Sequence, residues 1–371
     1  MKNFDCLLES VVNRGLCTGC GTCVGVCPHQ ALDYDRHQLT PVLAGRCKGC
    51  GICLEACAGA GLPLQEMQKQ VYGREMPSGT LHGQIIASYQ ACAADPLIRE
   101  QGASGGLGAG TAIYLLREGL ADCVITAGPG RNQPWKFEPV MVTSEEQALA
   151  AAKSKYLVIP VNALILKAKL AGFKKVALIG LPCQIQGLRK AMLSRPKLLS
   201  HVKFTVGLFC GTNWPPLIVE RLLRTAFGLA DPEEVAGFEF RAGPGNQSTV
   251  ATLKNGQQLQ IGNEKFLGSV NSYRRDRCLV CTDFAAELAD IAIGDIFTPE
   301  STKLPGWNHA LVRTATGQWL FDRMLQDHWL TAGVVDEGIL NLNRGCESKK
   351  YASPYRIDQR KKFGWPVPET S

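Results

Sequence analysis

The chain has 371 residues, 45% of them hydrophobic and 20% charged, an ordinary globular balance with enough apolar material for two or more folded units. No uncharged apolar run approaches the length needed to cross a bilayer, and the first sixteen residues hold no long apolar segment, so neither a membrane span nor a signal peptide is expected. The net charge of +7 favours acidic partners, but no dense basic run supports nucleic acid.

The first informative stretch is Cys17 to Cys57. Cys17, Cys20, Cys23 and Cys27 recur thirty residues later as Cys47, Cys50, Cys53 and Cys57. Three cysteines two apart, with a fourth three further on, is the ligand run of a bacterial-type ferredoxin holding two 4Fe–4S clusters. In that arrangement the fourth cysteine of each run crosses to the other cluster. Cys17, Cys20, Cys23 and Cys57 are therefore expected to hold one cluster, and Cys47, Cys50, Cys53 and Cys27 its neighbour. Structural zinc uses separated cysteine pairs, which does not match triplets with a trailing fourth. Such clusters need thiolates, so half of the sixteen cysteines point to a reducing compartment and a cytoplasmic protein rather than a disulfide scaffold.

Residues 1–66 carry five Lys/Arg against six Asp/Glu, so the basic excess belongs to the rest of the chain. Residues 67–84 are polar, with three glycines and a proline, and read as a linker. Beyond them short apolar runs alternate with amphipathic stretches, as in α/β construction. The expected organisation is a ferredoxin-like unit over 1–66, a linker over 67–84, an α/β domain over 85–345 and a basic tail over 346–371. The tail's Arg356, Arg360, Lys361 and Lys362 read as a solvated run.

Within the α/β region, residues 101–110 form a glycine-rich turn feeding an apolar helix. Free N–H groups at such a turn suit a phosphate, although the pattern matches neither a Walker loop nor a strand-first dinucleotide fingerprint. Lys153 and Lys155 beside Ser154 and Tyr156 suit a pyrophosphate clamp and an exposed helix end equally well. Residues 175–180, 204–209 and 289–294 read as buried parallel strands. Cys183, Cys210 and Asp295 follow their carboxyl ends, where ligands bind in open α/β sheets. Cys278 and Cys281 form a C-x-x-C. With Cys183 and Cys210 they make four thiols able to hold a third 4Fe–4S cluster, while the pair alone would equally suit a redox dithiol or half a zinc site. Cys6, Cys92, Cys123 and Cys346 stand apart and read as structural.

These pieces together resemble the beta subunit of coenzyme F420-reducing hydrogenases and dehydrogenases, a family related to 7-hydroxymethyl chlorophyll a reductase. The matching residues are 103–106, 153–156, Gly180 to Gln184 with 187–189, Phe209 and Cys210, Cys278 with Cys281 and Asp283, and 289–291 leading to Gly294 and Asp295. The resemblance implies an FAD-binding α/β core with a 4Fe–4S cluster beside the flavin. Ser104, Gly105, Gly106, Lys153, Lys155, Tyr156 and Asp295 become the expected FAD contacts. Cys183, Cys210, Cys278 and Cys281 become the expected proximal cluster ligands. The implied function is electron exchange between ferredoxin, or a redox partner subunit, and coenzyme F420. The alternatives are a ferredoxin-dependent reductase of another organic substrate such as a tetrapyrrole, or an electron-relay subunit of a hydrogenase or formate dehydrogenase complex. A homo-oligomer stays open.

Overall fold

The computed structural model describes residues 3–75, 80–242, 247–297 and 303–369, so residues 76–79 of the expected linker lie outside the described residues. The cysteine-rich unit is built from two short helices, Thr22–Gly25 and Ile52–Glu55, beside an antiparallel hairpin of β1 (Leu32–Asp35) and β2 (Thr40–Leu43).

The main sheet has eight strands among the described residues. In chain order these are β3 (Ala87–Ala93), β4 (Cys123–Gly128), β5 (Glu138–Val142), β6 (Val176–Gly180), β7 (Val202–Leu208), β11 (Ile291–Phe297), β12 (Lys303–Val312) and β13 (Leu330–Val334), once β8 (Val235–Ala242), β9 (Ser248–Leu253) and β10 (Gln258–Gly262) are set apart as a separate antiparallel sheet. The spatial order is β13-β3-β12-β11-β7-β6-β4-β5. Its centre, β4, β6, β7 and β11, is parallel, with Ile179 and Ile291 both beside Val206. The three apolar runs expected as parallel strands lie at this centre. Each has a nearly continuous apolar core because both faces are covered. Their carboxyl ends open on one side of the sheet, where the thiols and the cleft described below are found.

Helix Pro182–Ser194 leaves β6 with proline in its first turn, where a missing N–H costs nothing. The side chain of Gln184 accepts from the Leu181 N–H (2.6 Å) and donates to the Ile159 carbonyl (2.7 Å), fixing the entry of this helix against the preceding loop.

The cysteine-rich unit is fused to the sheet domain. A Cβ at Gly25 would lie 1.8 Å from the Asn162 carbonyl oxygen, so the two backbones meet where no side chain fits. Asn162 also donates to the Thr22 hydroxyl (2.8 Å) and the Gln184 carbonyl (2.7 Å). Val26, Ala56, Leu62 and Met67 share one apolar core with Ile185 and Leu188. Full burial of a side chain such as Met67 contributes about 1.5–3 kcal/mol.

Two expectations need correcting. Residues 67–72, read as linker, are the end of helix Leu64–Tyr72, which packs Met67 into that core and donates the Tyr72 hydroxyl to the Glu287 carbonyl. Residues 346–371, read as a basic tail, are helical over most of their described length and lie across helix Asp276–Leu279. Their composition misleads because the burial is carried by Cys346, Lys349 and Ser353, whereas Arg356, Lys361 and Lys362 stay exposed. The segment ends at the cysteine-rich unit, where the Glu369 carbonyl accepts from the Leu62 N–H (2.9 Å).

Candidate functional site: three thiol sets and a cleft

Twelve of the sixteen thiols fall into three groups. Burial pushes the Cys23 thiol well up, and the sulfurs of Cys57, Cys20 and Cys17 raise it further. Burial likewise takes Cys57 up to about 12, with Cys20 and Cys17 again its sulfur neighbours. Cys17 is also raised by burial but is held back by Arg275, which donates to its carbonyl (2.9 Å). Cys53 is pushed up to about 11, first by burial, with Cys50, Cys27 and Cys47 adding to the effect. These neighbours group Cys17, Cys20 and Cys23 with Cys57, and Cys47, Cys50 and Cys53 with Cys27, with Cys53 also acting on Cys23. Each fourth cysteine crosses to the other run, and the second set lines a hollow closed by Phe4 and Pro28.

The third set joins distant parts of the chain. Cys183 sits in the first turn of Pro182–Ser194, Cys210 follows β7, and Cys278 and Cys281 bracket the end of helix Asp276–Leu279. Burial drives the Cys183 thiol far up, and Cys20, Cys210, Cys281 and Cys278 push it further. Cys210 is raised by burial and Cys278, while Lys349 pulls it back. The turn is fixed by the Cys210 N–H donating to the Phe284 carbonyl (2.8 Å) and by the Asp283 carboxylate, which accepts from Gln186 Nε2 (3.1 Å). Cys17, Cys23, Cys53, Cys57, Cys183 and Cys210, raised by burial and by neighbouring sulfurs, would ionise only against a cation. No three His, Cys, Asp or Glu among the described residues close on a single metal ion, so the groups of four thiols suit a polynuclear centre and not a one-ion site.

Beside Cys210 opens a cleft of about 740 Å³ at the carboxyl ends of the parallel strands. Ser104, Gly106, Lys153, Lys155, Tyr156 and Asp295 all line it. Gly105 does not. A Cβ there would lie 2.7 Å from the Ala91 carbonyl oxygen and 2.9 Å from the Asn308 nitrogen, so Gly105 serves close packing of the turn on β3 and β12. Gly106 takes the left-handed conformation (φ +74°) that opens helix Leu107–Arg117. One N–H of that helix start is already used, since Leu107 donates to Asn308 Oδ1 (3.2 Å).

The two lysines expected to clamp a phosphate already have protein partners. Lys153 pairs with the Glu239 carboxylate. The Lys155 ammonium donates to the carbonyls of Ala151 (2.6 Å), Ala152 (2.5 Å) and Lys153 (3.0 Å), bracing the turn it sits in. Burial, helped by the Lys153 charge, lowers it to about 7.

The centre of the cleft is an arrangement that sequence reasoning missed. Arg241, from β8, pairs with Asp295 Oδ1 (2.9 Å), and Ser104 Oγ donates to the same oxygen (2.6 Å). Arg241, Trp214, Asn343 and Thr212 line the cleft, and among the described residues Arg241 Nε, Trp214 Nε1, Asn343 Nδ2 and Thr212 Oγ1 are buried with no hydrogen-bond partner. Unsatisfied buried donors are costly, so these groups beside the cleft suit an acceptor-rich ligand with carbonyl or phosphate oxygens. Such a donor set fits a flavin dinucleotide. A lone arginine or tryptophan in a strand or loop carries no motif, which is why these residues left no signal.

The thiol groups, the fold and the similarities that follow make the chain an iron–sulfur oxidoreductase of the electron-transfer type. Residues 10–33 match the 4Fe-4S binding domain. Residues 88–166 and 173–337, well over half the chain, match the N-terminal and C-terminal models of the coenzyme F420 hydrogenase/dehydrogenase beta subunit, and the chain belongs to that family. It is similar to the coenzyme F420 hydrogenase subunit beta of Methanosarcina barkeri, at 28% identity over 76% of this chain and 94% of that protein. It is also similar to the coenzyme F420-dependent sulfite reductase of Methanocaldococcus jannaschii, at 29% identity over 85% of this chain but only 47% of that protein. A chain in the xenon-derivatised F420-reducing NiFe hydrogenase complex of Methanosarcina barkeri superposes with a TM-score of 0.64 at 25% identity, covering 78% of this chain and 97% of its own. No helix among the described residues is long and apolar enough to cross a membrane.

Proposed function

We propose that the three thiol sets hold three 4Fe–4S clusters, that the cleft holds FAD, and that the protein exchanges electrons between a ferredoxin or redox partner subunit and coenzyme F420. The observation carrying this reading is the position of Cys183. It lies on helix Pro182–Ser194, which packs Gly187 against the Cys20 sulfur of the first set (3.4 Å from an added methyl), while Cys210 of the same third set lines the cleft. The order is then Cys27/47/50/53, Cys17/20/23/57, Cys183/210/278/281 and finally the cleft.

When bound, the clusters supply one-electron carriage, and the flavin supplies the conversion between one-electron and hydride chemistry. The chain's own residues hold and orient. Arg241, Trp214 and Asn343 present donors to the ligand, and the Asp295 carboxylate with Ser104 fixes the Arg241 guanidinium. The residues over 1–66 act as the electron inlet and the domain after them as the hydride-handling part. A basic excess outside residues 1–66 suits an acidic cofactor tail. The size and donor content of the cleft favour a substrate-binding subunit over a pure relay.

Iron and flavin content per chain tests the assignment, with about twelve irons and one FAD expected from three four-iron clusters. Adding reduced coenzyme F420 to the purified protein without oxygen should bleach both flavin and cluster absorption. An inert protein that contains its full cofactor complement would favour the relay reading.

A further inference from the structure

Residues 341–369 run from the cleft, past the third thiol set, to the cysteine-rich unit, and they lie beyond residue 337, where the family match ends. Asn343 and Gly345 line the cleft, Cys346 is buried beside His82 (Sγ to Nδ1, 3.2 Å), and Arg360 approaches Asp276 (3.8 Å). In the middle of this strap is Lys349. Its side chain is buried, and its ammonium donates to the carbonyl of Cys278 (2.9 Å). Among the described residues it forms no ion pair with a carboxylate, in contrast to the next residue, Lys350, which is neutralised by Glu287 (2.6 Å).

From this placement we infer that Lys349 is a positioning residue that sets the reduction potential of the cluster on Cys183, Cys210, Cys278 and Cys281. The inference rests on the proposed reading of those four thiols as a ligand set. A four-thiolate cubane is anionic and gains a further negative charge on reduction. A fixed cation in a poorly solvated position therefore stabilises the reduced form more than the oxidised form. The opposing charge nearby, Asp283, has its carboxylate occupied by Gln186 and the Glu287 N–H. The strap thus raises the potential at the end of the wire next to the cleft, so that an electron leaving the cleft is drawn onto this cluster.

The test is a redox titration of the intact, iron-loaded protein followed by electron paramagnetic resonance. Lys349→Gln keeps a donor for the Cys278 carbonyl and removes the charge. Lys349→Met is a second neutral variant whose apolar stem suits burial, and Lys349→Arg keeps the charge. Both neutral variants are expected to disfavour reduction of this cluster at least tenfold, a fall of 59 mV for one electron, while Lys349→Arg and the two ferredoxin-type clusters keep their potentials. An unchanged potential in the neutral variants overturns the inference, as does an equal fall in Lys349→Arg. Loss of iron in both neutral variants with retention in Lys349→Arg overturns it in favour of a purely structural role. A wild-type protein with only two clusters removes the proposed wiring as well, so the two failures are distinguishable.

Discussion

Gly187 and Cys20 face each other so closely that a methyl group on Gly187 would lie 3.4 Å from the Cys20 sulfur. Gly187 is one turn beyond Cys183 on helix Pro182–Ser194, so one helix carries a thiol of the third set and packs against a thiol of the first. The same added methyl would also come within 2.2 Å of the Thr22 hydroxyl, which is held in place by Asn162.

Gly187→Ala should therefore destabilise the protein. Overpacking of a buried contact costs about 1–3 kcal/mol, against which alanine returns about 1 kcal/mol of helix propensity. Thermal unfolding is expected at a lower temperature, with easier loss of iron from the first set. A variant melting at or above the parent temperature would show that the helix and the cysteine-rich unit are less tightly joined than drawn.

Cys278→Ser should lower iron content from about twelve to about eight per chain while leaving flavin in place, because one four-iron cluster loses a ligand. Reduced coenzyme F420 should still bleach the flavin of this variant but should no longer reduce the remaining clusters. Full-rate cluster reduction through the variant would sink the assigned order.

The grouping of the cysteines from Cys17 to Cys57 was legible because three of each four come from one short loop, so spacing alone records it, whereas the third group joins Cys183, Cys210, Cys278 and Cys281 from distant elements. The crossing of Cys27 and Cys57 followed from the same rule. The three central strands were legible as apolar runs, since burial on both faces leaves no alternation to misread. Arg241 was not legible, because Ser104 and Asp295, the residues that give it meaning, are 137 and 54 positions away and meet it only when β8 folds over the cleft. Lys349 was hidden for a related reason: in a basic C-terminal run, composition points to solvent, and only the fold buries one lysine of the run against Cys278.

Asp295→Asn should unsettle the cleft. Arg241 is buried, and its Nη1 is held by the Asp295 carboxylate, so neutralising the partner leaves a guanidinium without its compensating charge. Breaking such a pair costs about 3–5 kcal/mol. A fall in melting temperature and weaker retention of flavin are expected together, and a second change, Arg241→Met, should recover part of the stability without recovering the flavin. Stability of Asp295→Asn within about 0.5 kcal/mol of the parent, the range of an ordinary surface change, would contradict this arrangement.

Lys155 couples the cleft to pH. Burial and the Lys153 charge lower it to about 7 from an ordinary value of 10.5. Between those values the unfolded chain holds a proton at Lys155 that the folded, ligand-free chain releases. This residue's contribution to stability is therefore complete above pH 10.5 and is lost as pH falls toward 7. A phosphate placed in the cleft restores the charged form, so anion binding at alkaline pH takes up a proton. Flavin dinucleotide affinity for the flavin-stripped protein should strengthen by up to about tenfold per unit as pH is lowered from about 9 toward neutrality, then level off once Lys155 is already charged. Lys155→Met should bind more weakly near neutral pH and lose this slope, and isothermal calorimetry in two buffers of different ionisation enthalpy should show the loss of proton uptake. A slope that survives Lys155→Met, or no slope in the parent, would mean that the Lys155 ammonium serves the carbonyls of its own turn and does not meet the ligand.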